Sequence, residues 1–127
     1  MPDPSDYKYT DSHEWFAIDG NVVTMGITKY AADELTDITF VEMKEPGTSI
    51  SAGEVVGEVE SVKTTADVYS AVGGEIVEVN DAATEDPSLL NSDPMDSGWL
   101  VKIQTDDPSP LDNLMDHETY EEKYPIG

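Results

Sequence analysis

Gly53-Glu54-Val55-Val56-Gly57-Glu58-Val59-Glu60-Ser61-Val62-Lys63 is the stretch that decides the fold class of this chain. Val55, Gly57 and Val59 alternate with Val56, Glu58 and Glu60, the pattern of a half-buried antiparallel strand. Downstream, Thr64-Thr65-Ala66-Asp67-Val68-Tyr69-Ser70 and Gly74-Glu75-Ile76-Val77-Glu78-Val79-Asn80 read as further strands, and Trp99-Leu100-Val101-Lys102-Ile103 closes the series. Upstream, Asn21-Val22-Val23-Thr24-Met25-Gly26-Ile27 follows an Asp19-Gly20 turn, and Ile38-Thr39-Phe40-Val41-Glu42-Met43 ends at Glu45-Pro46-Gly47. Short strands broken this often by Gly and Pro predict a mainly β fold, a small sandwich or barrel.

Helical signals are short. Thr28 is placed to cap Lys29–Leu35, with Ala31 and Leu35 four apart on one face. Ser109-Pro110 reads as a cap and first turn, after which Leu111, Leu114 and Met115 share a face. His117 to Tyr124 either extends that helix or forms a second one before Pro125. Asp81 to Pro94 holds Pro87 and Pro94 and reads as a loop with at most one helical turn. Gly53-Glu54-Val55-Val56 is echoed by Gly74-Glu75-Ile76-Val77, with Lys63 about midway. The echo predicts two hairpin-like halves about a pseudo-two-fold, although Gly-Glu-aliphatic-aliphatic is also a common way to open any strand.

Charge excludes several function classes. In 127 residues, 28 Asp and Glu oppose six lysines, and the formal net charge is -22. Such a chain repels phosphate backbones and anionic lipid, so neither nucleic acid nor membrane is an expected partner. It has no run of about 18 apolar residues. Met1 to Asp6 is acidic, unlike a secretory signal or a transit peptide, and the expectation is a cytoplasmic protein. Acidity alone would suit disorder, but 38% of residues are hydrophobic and fall in patterned runs. A folded domain with a solvated acidic shell, as in salt-adapted cytoplasm, fits both facts. The chain has no cysteine and two histidines, His13 and His117, and it lacks a Gly-rich phosphate loop. Nucleophilic, thiolate and metal chemistry have little to work with, and no metal site is expected.

At Glu60-Ser61-Val62-Lys63 the sequence resembles the H protein of the glycine cleavage system. Further motifs follow in the same order. Tyr9-Thr10 with Ser12-His13-Glu14-Trp15 is similar to the family's opening, and Gly26-Ile27-Thr28 with Ala31 and Leu35 to its first helix entry. Asp37-Ile38 with Phe40-Val41-Glu42 is similar to its central strand, and Asn91, Pro94 and Gly98-Trp99 to its closing segment. The resemblance covers about residues 7 to 105 and continues weakly to Tyr120. Two positions depart from it. Leu35-Thr36-Asp37 stands where the family has Leu-Gly-Asp, which puts a glycine-dependent helix end in question. Ser70-Ala71-Val72-Gly73-Gly74 lacks the family's proline, which should loosen that turn.

The resemblance implies a hammerhead-like lipoyl/biotinyl carrier fold, a β-sandwich or barrel with short flanking helices. Residues 1–127 then form a single domain, with a lipoyl-carrier core over 21–105 and a C-terminal helical segment over 106–127. Lys63 would lie at a hairpin turn and carry lipoate as an amide. Val62 and Thr64 replace the methionines that flank a biotinyl lysine, and no Asp precedes Lys63 as in 2-oxoacid dehydrogenase domains. The implied role is a non-catalytic shuttle that takes an aminomethyl group from glycine decarboxylase to aminomethyltransferase. Dihydrolipoamide dehydrogenase reoxidises the arm, and a lipoylating enzyme attaches it. Glu60 and Gly74 match positions that serve recognition by that enzyme, and replacing either is expected to slow lipoylation without changing Tm. Ser12, Glu14 and Asp67 match the polar contacts of the arm-docking cleft, with Ile27 and Leu35 as its walls. The alternatives are an H-like carrier that donates lipoate to other enzymes, and an unmodified acidic interaction module.

Overall fold

The computed structural model describes residues 7–124; the readings of Met1 to Asp6 and of Pro125 lie outside the described residues. The strands, in chain order, are β1 Lys8–Tyr9, β2 Glu14–Asp19, β3 Val22–Ile27, β4 Ile38–Met43, β5 Ser49–Ile50, β6 Val55–Ser61, β7 Thr65–Tyr69, β8 Gly74–Val79 and β9 Val101–Gln104. They build two antiparallel sheets, one ordered β1-β2-β3-β9-β8-β5 and one ordered β4-β6-β7. Neither closes into a barrel. The helices are α1 Lys29–Leu35, α2 Asp81–Glu85, α3 Leu89–Ser92 and α4 His117–Lys123, with a 3-10 turn over Ser109–Asn113.

Aliphatic side chains of both sheets share one core. Val23, Met25, Val41, Val56, Val59, Val68, Ile76 and Ile103 are buried there with Leu90 and Leu100. A second cluster joins Tyr7, Tyr9, Trp15, Ala17 and Tyr120, and it seats α4. β2 serves both. Phe16 belongs to the main core while Trp15 and Ala17 belong to the aromatic cluster. With both faces covered, Glu14-Trp15-Phe16-Ala17 shows no in-out alternation, which is why periodicity misses β2. Trp15 pairs with Gly26 across the ladder, where a Cβ would lie 2.9 Å from the indole Nε1. That nitrogen donates to the Pro94 carbonyl at 2.9 Å. The opening and closing motifs are therefore in contact.

Several expectations need correction. β1, β2 and β5 are additional strands, and the large sheet begins before residue 21. Asp81 to Pro94 holds two short helices, because Asn80 caps α2 through its side chain and Pro87 falls between α2 and α3. Ser109 lies inside the 3-10 turn, and its N–H is capped by the Asp107 carboxylate at 3.1 Å. Leu111 and Leu114 pack on the main core while Met115 joins the aromatic cluster, so the three do not share a face. In β6 a bulge between Val55 and Gly57 turns Val56 inward, against the simple alternation. The echo is out of phase as well: Val56 is buried but its counterpart Val77 is exposed, and the two copies belong to different sheets. The turn without proline is not loose. Ser70 Oγ donates to the Val72 carbonyl at 2.6 Å and accepts the Val72 N–H at 3.1 Å.

Candidate functional site

Lys63 lies between β6 and β7, where the pairing of Glu60 with Thr65 is extended by the Ser61 N–H donating to the Thr64 carbonyl at 2.8 Å, which leaves Val62 and Lys63 as a two-residue loop. Hairpins of this length usually carry Asn or Gly at positive φ. Val62 and Lys63 do neither, since neither has positive φ. A serine replaces that chemistry. Ser61 Oγ accepts the N–H groups of Lys63 and Thr64 at 3.1 Å each and donates to the Thr64 carbonyl at 3.1 Å. The Val62 N–H donates to the Asp37 carbonyl at 3.1 Å, which pins the tip to the segment after α1. The loop is thus held while its side chains stay exposed, Val62 at 67%.

The Lys63 amine donates to the Glu34 carbonyl at 3.2 Å, in the last turn of α1. α1 ends at Thr36, which takes φ 63 and ψ -133, a backbone suited to glycine. Threonine is held there from outside. Asn91 Nδ2 donates to the Thr36 carbonyl at 2.5 Å, and Asn91 Oδ1 accepts the Ile38 N–H at 2.9 Å. The helix end survives the loss of glycine.

Glu34 also lines a cavity of about 150 Å³, so the lysine tip and this cavity adjoin. Its walls come from three segments: Ser12 and His13 from the turn before β2 with Glu14 at its first position; Ile27, Ala31 and Leu35 from β3 and α1; Val59, Ala66, Asp67 and Val68 from the lysine hairpin. A larger open groove of about 490 Å³, lined by Phe40, Met43 and Val79 among others, includes no residue of that hairpin.

Glu14 is the buried carboxylate of the cavity, 1% exposed. Its Oε1 accepts the hydroxyls of Thr10 at 2.6 Å and Ser12 at 2.5 Å, and its Oε2 accepts the Tyr69 N–H at 3.1 Å. Burial pushes its pKa up, and these donors pull partly against it. Burial likewise lowers that of His13, with Asp11 and Glu34 opposing. Asp67 is exposed at the rim. Two carboxylates and a serine hydroxyl beside apolar walls can receive a small cationic amine through charge-assisted hydrogen bonds.

Among the residues anticipated for docking, Ser12, Glu14, Ile27, Leu35 and Asp67 line this one cavity. Glu60 and Gly74 do not. Glu60 is half-buried near the hairpin tip, while Gly74 opens β8 in the other sheet. A Cβ at Gly74 would sit 2.0 Å from the Gln104 carbonyl oxygen, so the glycine has a packing requirement of its own. Ala31 and Ala66 were not anticipated. Ala66 was within reach of the sequence, because a two-residue loop at Val62-Lys63 pairs it with Val59.

The family model for the glycine cleavage H-protein matches residues 7–125. The chain belongs to this family. It is 49% identical over 115 residues to glycine cleavage system H protein 2, mitochondrial, of Arabidopsis thaliana, covering 91% of this chain and 74% of that one. The glycine cleavage system H protein of Parvibaculum lavamentivorans is 46% identical over 118 residues, 93% of this chain and 94% of its own. A crystal structure of a glycine cleavage system H protein from Mycobacterium marinum is similar at a TM-score of 0.87 and 37% identity, covering 99% of this chain and 100% of that one. The H-protein family match runs through Tyr120 to the end of α4, well beyond the lysine hairpin.

Proposed function

We propose that this protein is the lipoyl-carrying shuttle of a glycine cleavage system, a non-catalytic carrier with lipoate in amide linkage to Lys63 Nζ. One observation carries the reading: an exposed lysine at a held hairpin tip adjoins, through Glu34, a cavity lined by acceptors for a cationic amine. The residues present fit the group. Among the described residues the Lys63 amine bonds only a carbonyl and forms no salt bridge, so acylation breaks no ion pair.

When attached, lipoate supplies the sulfur pair that takes up an aminomethyl group. The chain supplies the rest. The Ser61 hydroxyl holds the tip for the lipoylating enzyme, Glu60 and Gly74 belong to its recognition, and Ile27 and Leu35 exclude water from the cleft. Glu14, Asp67 and Ser12 hold the amine's protons. Docking of this kind is a population shift of a few kcal/mol at most, since the same arm must leave for partner sites. The partners in this reading are glycine decarboxylase, aminomethyltransferase, dihydrolipoamide dehydrogenase and the lipoylating enzyme. We place the protein in the cytoplasm as a single domain; no helix among the described residues is long and apolar enough to cross a membrane. The charge of -22 supports a salt-adapted setting.

Intact-mass measurement of the native protein, with peptide mapping, tests the site. One lipoyl amide on Lys63 is expected, and an unmodified Lys63 would support an acidic interaction module instead. Glycine decarboxylation by the lipoylated protein with glycine decarboxylase then separates the shuttle from a lipoate donor, which would leave glycine intact.

A further inference from the structure

The Tyr120 hydroxyl of the last helix meets both the turn before β2 and the start of α1. The Tyr120 hydroxyl lies 2.8 Å from His13 Nδ1 and 2.8 Å from Thr28 Oγ1. Of these partners His13 lines the cavity, and Thr28 caps α1, whose Ala31 and Leu35 line it. His13 lies between Ser12 and Glu14, while Thr28 Oγ1 accepts the Ala31 N–H at 3.2 Å. The two residues also meet directly, the Thr28 N–H donating to the His13 carbonyl at 2.9 Å.

His13 has φ 70, a left-handed conformation for a residue with a branched ring side chain. Such a backbone costs of order 1–3 kcal/mol and persists only where its surroundings over-determine it. Here they come from α1 and from the segment at and just after α4. The His13 ring packs on Tyr30 and Tyr124, each with centroids 4.6 Å away. Asp11, two residues before it, accepts from Lys123 Nζ at 2.7 Å and from the Tyr124 hydroxyl at 3.1 Å. Tyr120 itself is buried, stacked on Tyr9 with centroids 4.8 Å apart, and burial raises its phenol to about 12. The hydroxyl therefore keeps its proton and serves as both donor and acceptor.

We propose that Tyr120 is a positioning residue for the cleft: its hydroxyl sets the distance between the Ser12–Glu14 turn and α1, and so the width of the space that takes the amine borne on Lys63. The inference rests on the carrier reading above. A cavity of about 150 Å³ has little slack. Without the hydroxyl His13 relaxes from its strained φ and carries the Ser12 hydroxyl and Glu14 carboxylate out of line, and a misplacement of about 1 Å is enough to matter.

The test uses Tyr120→Phe in the full chain, which keeps the ring and deletes one oxygen. In the protein before lipoylation, amide exchange at Thr28 and Tyr69 should rise about fivefold, as loss of one net hydrogen bond implies. Exchange in the β3–β9 ladder should not change, and the His13 Nδ1 nitrogen resonance should move. After lipoylation and loading from glycine by glycine decarboxylase, loss of the aminomethyl group to water should also rise about fivefold. Ile103→Val, a core change remote from the cavity, should lower Tm without speeding that loss. Faster loss in Glu14→Gln but not in Tyr120→Phe would overturn this inference and leave the cleft reading standing. Unchanged loss in both would overturn both. Unchanged exchange at Thr28 and Tyr69 would overturn the positioning role whatever the loaded arm does.

Discussion

Glu14 and Tyr69 lie 55 residues apart and meet through a single hydrogen bond, the Tyr69 N–H donating to Glu14 Oε2 at 3.1 Å. Tyr69 ends β7, an edge strand of the smaller sheet, so its outward N–H has no strand to pair with. The carboxylate fills that place and, through its other oxygen, gathers the hydroxyls of Thr10 and Ser12. One buried side chain thus ties the turn before β2 to the hairpin that carries Lys63.

This burial predicts a pH dependence. The Glu14 pKa is raised in the folded state, chiefly by desolvation, so the folded protein binds more protons than the unfolded chain through the carboxylate range. Its contribution to stability is present at lower pH and is lost as pH rises from the ordinary glutamate value through the raised one. Glu14→Gln removes that loss, since its amide can donate to Thr10 and Ser12 while its oxygen accepts from Tyr69. Denaturant titrations from acid to neutral pH should show the variant gaining on the wild type as pH rises. A constant difference would refute the assignment.

Lys63→Arg should leave the fold intact and abolish lipoylation. The side chain is exposed, so a stability change within about 0.5 kcal/mol is expected. Guanidinium does not form the amide. Mass spectrometry after incubation with the lipoylating enzyme and lipoate checks this; a lipoylated variant would show that another lysine is the site.

Thr36→Gly should stabilise the protein. A β-branched residue at φ 63 is strained, and relief of roughly 1 kcal/mol should exceed the extra chain entropy of glycine. Because Asn91 bonds backbone on both sides of the link, the α1 end should keep its shape. Thermal unfolding should show Tm rising by a few degrees. A fall would mean that the Thr36 hydroxyl bond to the Leu35 carbonyl, at 2.5 Å, outweighs the strain.

Glu60 and Gly74 should separate. Glu60→Gln, near the hairpin tip, should slow lipoylation with Tm unchanged. Gly74→Ala places a methyl 2.0 Å from the Gln104 carbonyl oxygen and should cost about 3 kcal/mol through forced backbone shifts. This geometry argues against the unchanged Tm expected at Gly74 from the sequence. An undisturbed Tm in Gly74→Ala would show that β8 and β9 yield easily.

Tm should rise with KCl into the molar range. The Debye length falls from about 10 Å at 0.1 M to about 3 Å at 1 M, which screens self-repulsion among the 28 carboxylates. A flat curve would remove salt adaptation as the account of the acidity.

Local pattern made part of this molecule legible. β6, β7 and β8 follow from runs of β-branched residues between glycine turns, although a bulge in β6 and another in β8 break strict alternation, and α1 follows from a Thr28 cap and its one buried face. β2 and β5 escaped for opposite reasons: β2 is covered on both faces, and Ser49–Ile50 is too short to show a period. The docking residues were legible only through the family motifs, since Ser12, Ile27, Leu35 and Asp67 share no spacing that would bring them together.

By itself the sequence determined the β class, the first helix and the acidic surface, all of which depend on neighbours a few residues apart; the lysine turn came only from the family resemblance, because Val62-Lys63 carries no turn chemistry. Tertiary structure alone decided that Glu14 is buried and bonded to Tyr69, that Ser61 rather than glycine shapes the lysine turn, and that Gly74 is packed against Gln104. It also decided that Tyr120 joins the turn before β2 to the start of α1 across 107 and 92 residues. The physical reason is that strand and helix patterns record which side of an element is apolar. A hydrogen bond between distant segments leaves no periodic trace, and it exists only once the two sheets and the last helix have packed.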